Sequence, residues 1–189
     1  MSTKWIVLML VAALLLYVIT IYNRLVRRRN MAREGWSGID VQLKRRSDLI
    51  PNLVEAVKGY AAHERGVFEE VTARRASSLA TSDVPGKAAA EQALQGSLQR
   101  LFAVAEAYPQ LQADQNFRKL QEQLAEIEDQ LQMARRYYNG TVRDLNTSIQ
   151  SFPDTVVARA LGFREEHFFE LEDRAAAQAP KVGFSGANA

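Results

Sequence analysis

Residues 5–22 hold no charged side chain, and this run narrows the possible architectures more than any other feature. It reads Trp-Ile-Val-Leu-Met-Leu-Val-Ala-Ala-Leu-Leu-Leu-Tyr-Val-Ile-Thr-Ile-Tyr. As a helix rising about 1.5 Å per residue it is roughly 27 Å long, close to the ~30 Å hydrocarbon core of a bilayer. Trp5 and Tyr22 sit at its two ends, where aromatic rings favour the membrane–water interface. The competing reading is a cleaved signal peptide, which places its positive charge before the apolar run and a small-residue cleavage site after it. Here Arg24, Arg27, Arg28, Arg29 and Arg33 follow the run, and no Ala-x-Ala pattern closes it. The expected form is therefore an uncleaved single span.

The flanking charge sets an expected orientation. Lys4 and the α-amino group precede the run, and the five arginines follow it. The positive-inside rule places the arginine side in the cytoplasm. Lys4, Trp5, Tyr22, Arg24, Arg27, Arg28, Arg29 and Arg33 are thus the expected membrane-interface residues. The arginines serve either as a topology signal alone or also as contacts for anionic lipid headgroups. The expected topology is single-pass, with the N-terminus out and the C-terminal domain cytoplasmic.

The net charge of +2 comes from 24 basic and 22 acidic side chains. Residues 1–33 hold six of the basic ones and no acid, so residues 34–189 carry 18 basic and 22 acidic, a net of −4. A nucleic-acid binder concentrates positive charge on its folded domain, so nucleic acid is not among the expected partners. The chain has no cysteine, which excludes disulfides, thiolate metal sites and cysteine nucleophiles.

Beyond residue 34 the pattern is helical, with almost no strand signal. Between residues 114 and 150, Phe117, Leu120, Leu124, Ile127, Leu131, Ala134, Tyr138, Val142, Leu145 and Ile149 step by three and four. This seam requires partner helices of similar length. Trp36, Ile39, Leu43 and Ile50 supply one stripe, continued by Leu53, Val54, Val57, Phe68 and Val71. Leu94, Leu98, Leu101, Ala105 and Tyr108 supply another. Pro51 predicts a break or kink in the first long helix, with Asp48 able to cap a new start. Residues 81–86 read as a turn, Pro109 ends a helix, and Asp114 is an expected N-cap.

The expected fold is all-α: one N-terminal transmembrane helix followed by an elongated antiparallel four-helix, coiled-coil-like bundle. Its divisions are residues 1–4 outside, 5–22 in the membrane, 23–33 as a basic juxtamembrane segment, 34–172 as the bundle and 173–189 as a disordered tail.

Catalytic constellations are missing. His63-Glu64 has Val67 where a zinc helix needs its second histidine, and neither His63 nor His167 follows a glutamate by three, as a di-iron bundle requires. Gly86-Lys87 lacks the glycine of a phosphate loop. No catalytic residue, metal or cofactor is expected, and the chain reads as a non-enzyme. What remains is polar residues beside the seams: Asp40; Gln121, Glu128 and Arg135, spaced by seven; and Asn139 and Asn146, also seven apart. They read either as inter-helix pairs that set register or as a polar pocket or partner surface in the bundle.

The same residues carry a resemblance. Asp-Val-Gln-Leu-Lys-Arg-Arg-Ser-Asp-Leu-Ile-Pro-Asn-Leu-Val-Glu-Ala-Val-Lys-Gly-Tyr at 40–60 resembles the signature of the LemA family of bacterial membrane proteins. Asn116-Phe117-x-x-Leu120-Gln121-x-x-Leu124 is similar to its second block. Arg135-x-x-Tyr138-Asn139-x-x-Val142-x-x-Leu145-Asn146, running to Ser151-Phe152-Pro153, is similar to its third. Leu145 stands where the family often has tyrosine. The resemblance covers about residues 20–170 and implies a long-helix bundle behind one anchor, located at the bacterial inner (cytoplasmic) membrane. It implies no reaction, since the family has no established one. Relatives associated with magnetosome membranes and with neighbouring membrane metalloproteases point by analogy to membrane organisation or quality control.

The expected function is a membrane-anchored scaffold or adaptor working through helix faces, and the alternative is an anionic-lipid-binding or membrane-shaping protein. The expected partners are the bilayer with its anionic lipids, proteins including a membrane protease, and further copies of the chain in a homo-oligomer.

Overall fold

The computed structural model describes residues 3–170, and the tail expected at residues 173–189 lies outside the described residues. Those residues form six helices: α1 Thr3–Lys58, α2 Arg65–Ala80, α3 Val84–Glu106, α4 Pro109–Ala113, α5 Gln115–Gln150 and α6 Asp154–Ala160. Among the described residues there is no strand, so the all-α fold read from periodicity is the observed one.

α1 is one helix of 56 residues. Its first part is the apolar run, long and apolar enough to cross a membrane. The remainder, Asn23 to Lys58, matches the 36-residue length of α5. The two pack against each other along the molecule. Their backbones come close at Gly35, where a Cβ would stand 3.0 Å from Cα of Tyr138. A side chain there would press on that backbone, and the two helices would have to part by a few tenths of an ångström.

Of the predicted break or kink at Pro51, the break does not occur: α1 continues through it to Lys58, and Asp48 is an exposed mid-helix residue rather than a cap. Proline removes the N–H that would bond the carbonyl four residues back, which is that of Ser47. Arg75 on α2 replaces it, donating from Nε to Ser47 O at 2.8 Å. The neighbouring helix thus satisfies the carbonyl that the proline orphans, which an isolated helix could not do.

The other boundaries follow local rules. Asp83 caps α3 by accepting from Gly86 N at 2.8 Å. Asp114 caps α5 by accepting from Asn116 N and Phe117 N at 2.8 and 2.9 Å. α3 stops at Glu106, two residues before Tyr108, and Pro109 starts the short α4 instead. This is the position where a missing N–H costs nothing.

The buried apolar residues form two clusters, not one. The first runs from Ile21 and Leu25 through Ile39 and Leu43 on α1, with Leu131, Tyr138 and Leu145 of α5, Val157 and Ala158 of α6, and Phe163 and Phe169 beyond it. The second joins Ile50, Leu53 and Val57 of α1 to Phe68, Leu94, Leu101, Leu111, Phe117 and Leu124 of the remaining helices. After α6 the chain turns at Gly162, whose φ of 72° suits glycine. Residues 163–170 then run back as an extended strap.

Candidate functional site

The gap between the two clusters is polar. Leu43 and Ile50 are seven residues apart on the buried face of α1, and the core positions between them are Arg46 and Ser47. Arg46 is 1% exposed and Glu91 on α3 is 2% exposed. Their side chains form an ion pair, and Arg46 Nη1 also donates to Glu128 Oε1 of α5 at 2.5 Å and to Gln95 Oε1 at 3.1 Å. Glu91 accepts a further hydrogen bond from the Ser78 hydroxyl of α2. Buried Lys87 donates to Ser78 O at 2.9 Å, near the C-terminal end of α2. The layer therefore ties all four long helices together at one level.

Its electrostatics are nearly closed. Burial alone would lower the Arg46 pKa, but the carboxylates of Glu91 and Glu128 outweigh it and leave the guanidinium pKa raised. Arg46 is a fixed cation. For Arg135, half-buried on α5, burial dominates and lowers the pKa; Glu128 opposes the shift and the Arg46 charge adds to it. Arg46 Nε and Ser47 Oγ are buried without a hydrogen-bond partner, so the layer is not optimised for stability. Among the described residues no group of three or more His, Asp or Glu side chains is placed to hold a metal ion.

A second polar set lies further along α5, about three to five turns beyond Glu128. Asn139 donates to Phe169 O at 3.2 Å and accepts from Phe169 N at 2.9 Å. Asn146 donates to Glu166 O and accepts from Glu166 N, both at 2.9 Å. Each side-chain amide pairs with one residue of the strap as a neighbouring strand would. The register is geometric. Seven helical residues rise about 10.5 Å, and the three steps from Glu166 to Phe169 in extended chain cover about 10 Å. Tyr138 fills the interval, donating its hydroxyl to His167 O at 2.8 Å. Burial pushes that hydroxyl's pKa up to about 12, with the Glu166 carboxylate adding to the shift. Trp36 of α1 closes the cluster, its ring 5.6 Å from both Tyr138 and Phe169.

Of the polar positions read from sequence, the structure thus brings Glu128 into the buried layer and Asn139 and Asn146 onto the strap. Arg135 lies between the two sets, its guanidinium 5.8 Å from the Phe169 ring centre. Asp40 and Gln121 are exposed and belong to neither. Arg46, Glu91, Lys87 and Ser78 did not emerge from sequence reasoning. Their signal was the gap in the apolar stripe at 46–47.

At the other end, three of the five arginines are held by the bundle. Arg24 pairs with Asp154 at the start of α6, and Arg28 Nη1 donates to Asp144 O at 2.9 Å. Arg29 lies 5.0 Å over the Phe163 ring, which also meets the Tyr22 ring edge-on at 6.0 Å. Arg27 and Arg33 are exposed, as are Lys58 and both histidines, while Lys4 and Trp5 stand free on the apolar segment.

Comparison with known proteins agrees with this architecture. The chain is 25% identical over 174 residues to the magnetosome protein MamQ of Magnetospirillum gryphiswaldense, covering 78% of this chain and 64% of that one. It is also 25% identical over 156 residues to the protein LemA of Metamycoplasma hominis, covering 80% of this chain and 69% of the relative. The chain thus spans somewhat less than two thirds of the length of its magnetosome relative. The family model described as LemA family matches residues 35–184, the bundle, the buried layer and the asparagine-held strap together, and the chain belongs to that family.

Proposed function

We propose that this protein is a non-enzymatic, membrane-tethered scaffold whose bundle presents helix faces to protein partners in membrane organisation or membrane-protein quality control. The observation that carries the reading is the continuity of α1 from the apolar run into the bundle. The 36 residues after Tyr22 rise about 54 Å without a break, so the far end of the bundle is held at a set distance from the bilayer. The relative MamQ is a magnetosome protein, which supports a role in membrane organisation. The charged groups of the interior are spent on each other rather than on an open cleft, which supports binding over chemistry. The expected orientation keeps the bundle in the cytoplasm at the inner membrane, where a membrane protease or a second copy of the chain is the partner sought.

The test is photo-crosslinking in native membranes with the anchor intact, using a crosslinker placed in turn at exposed Leu79 of α2 and Met133 of α5. A defined protein adduct, or a dimer of the chain, is the expected outcome. Absence of any adduct at both positions would overturn the reading.

A second reading, anionic-lipid binding, is favoured by the exposed Arg27 and Arg33 beside the apolar run. It predicts that the detergent-solubilised full chain retains anionic lipid over zwitterionic lipid, and that an Arg27→Gln, Arg33→Gln double variant loses the preference. Equal retention of the two lipids would dismiss it.

A further inference from the structure

The membrane-side end of the bundle carries apolar side chains that nothing in the fold covers. Phe152, in the turn between α5 and α6, is 83% exposed, and Val156 on α6 is 60% exposed. Leu161, just past α6, is 53% exposed. Their neighbours Val157 and Ala158 are buried against α1, so α6 has one apolar face packed inward and a second one facing out. An element of this size gains nothing in water from a second apolar face.

Their level along α1 is fixed by contacts. Asp154 pairs with Arg24, two residues past the apolar run. Phe163, after α6, meets the ring of Tyr22, the last residue of the run. Ile21 is buried in the same cluster as Val157 and Ala158, and Val18 packs against that cluster from within the run. Val18 to Tyr22 is one helical turn, about 6 Å. The end of the bundle therefore overlaps the last turn of the apolar segment instead of standing clear of it. α5 finishes at Gln150 and α6 begins at Asp154, so the residue 151–153 turn lies at this same end of the bundle. Exposed Arg159 lies on α6 itself, three residues from Val156 and two from Leu161, and a basic group beside apolar side chains suits phosphate headgroups above lipid acyl chains.

We infer that the α5–α6 turn and the outer face of α6, through Phe152 and Val156, insert into the lipid interface as a second membrane contact beside the α1 span. This inference rests on the reading of residues 5–22 as a span. The occupant is the bilayer itself, because the patch is continuous with the segment that crosses it. With two points of attachment the bundle's rotation about α1 is fixed relative to the membrane surface.

The chain has no cysteine, so Phe152→Cys and Val156→Cys each accept a single polarity-sensitive fluorophore in the full chain, at positions whose side chains are mostly exposed. Leu79→Cys, beside Ser78 in the buried-layer region, is the water reference, and Leu10→Cys in the apolar run is the membrane reference. The variants are reconstituted in phosphatidylcholine–phosphatidylglycerol vesicles with or without nitroxide-bearing lipid. Labels at 152 and 156 should be blue-shifted relative to 79 and quenched by the nitroxide lipid at least about twofold more, as an interfacial apolar face requires. Water-like emission at 152 and 156 with quenching at 10 would overturn the second contact alone. Water-like emission at all four positions would overturn the span with it. A blue shift at 152 and 156 without lipid quenching would assign the patch to a second copy of the chain and overturn the lipid contact.

Discussion

Glu91 and Arg46 show how much can depend on one buried pair. Each is almost fully buried and each is the other's main partner. Removing one member of such a pair strands a charge and costs roughly 3–5 kcal/mol, whereas replacing both by apolar groups is often neutral. Glu91→Leu should therefore lower the denaturation midpoint strongly, and Arg46→Leu/Glu91→Leu should recover most of the loss; a double variant as unstable as the sum of the singles would contradict the pairing. Pro51 and Arg75 form a second coupled pair. Arg75→Ala leaves Ser47 O without its donor, a loss of about 1–3 kcal/mol. In a Pro51→Ala background the helix can supply its own N–H, so the same substitution should cost measurably less. Additive effects in that double-mutant cycle would show that the Arg75 bond does not replace the proline's missing one. Tyr138 adds a pH dependence. Its pKa rises from 10 to about 12 on folding, so the folded state holds the proton more tightly. The stabilisation is complete below pH 10 and is lost as pH rises toward 12. Tyr138→Phe should flatten that part of the stability profile, as read from urea midpoints across the range.

Among the elements, the strap of residues 163–170 depends most on particular side chains. It has no helical hydrogen bonds of its own, and Asn139, Asn146 and Tyr138 supply its partners. Asn139→Ala and Asn146→Ala should each speed amide exchange at Phe169 and Glu166 respectively, by about tenfold for each ~1.4 kcal/mol lost, while α5 core amides remain protected. Unchanged exchange at both would remove the asparagines from that role. How far each element could be read from sequence follows from where its determinants lie. α5 was legible throughout, because its period is local and its cap Asp114 is adjacent. α1 was misread at Pro51 because the repair comes from Arg75, 24 positions away in sequence. The seven-residue spacing of Asn139 and Asn146 was visible, but their partners were not, since an extended strap has no apolar period to announce it. Arg46 sits in a run of charged residues and reads as solvated until the stripe from Leu43 to Ile50 is seen to need a residue at its position.

For the whole molecule, orientation rests on charge. Five arginines lie within a dozen residues after the apolar run and Lys4 alone before it. The bundle uses Arg24, Arg28 and Arg29 as well, so their loss would disturb packing and topology together. Exposed Arg27 and Arg33 separate the two effects. Arg27→Gln/Arg33→Gln with a lysine pair added before the run should invert a fraction of molecules without unfolding the bundle. A C-terminal reporter fluorescent only in the cytoplasm should be bright in the parent and dimmer in that variant at equal protein level. A dark parent would place the bundle on the opposite side. The unbroken α1 has a mechanical consequence too. With residues 5–22 as the proposed span, an unbroken helix of ~54 Å beyond the membrane turns a tilt of the span into a sideways displacement of its tip. At the ~20° tilt common for membrane helices, Lys58 stands about 18 Å off the line it would occupy upright. A bilayer that thins, and so changes the tilt that best buries residues 5–22, moves the far end of this protein by a distance comparable to the width of two helices. On that reading the molecule works as a lever whose short arm is immersed in lipid.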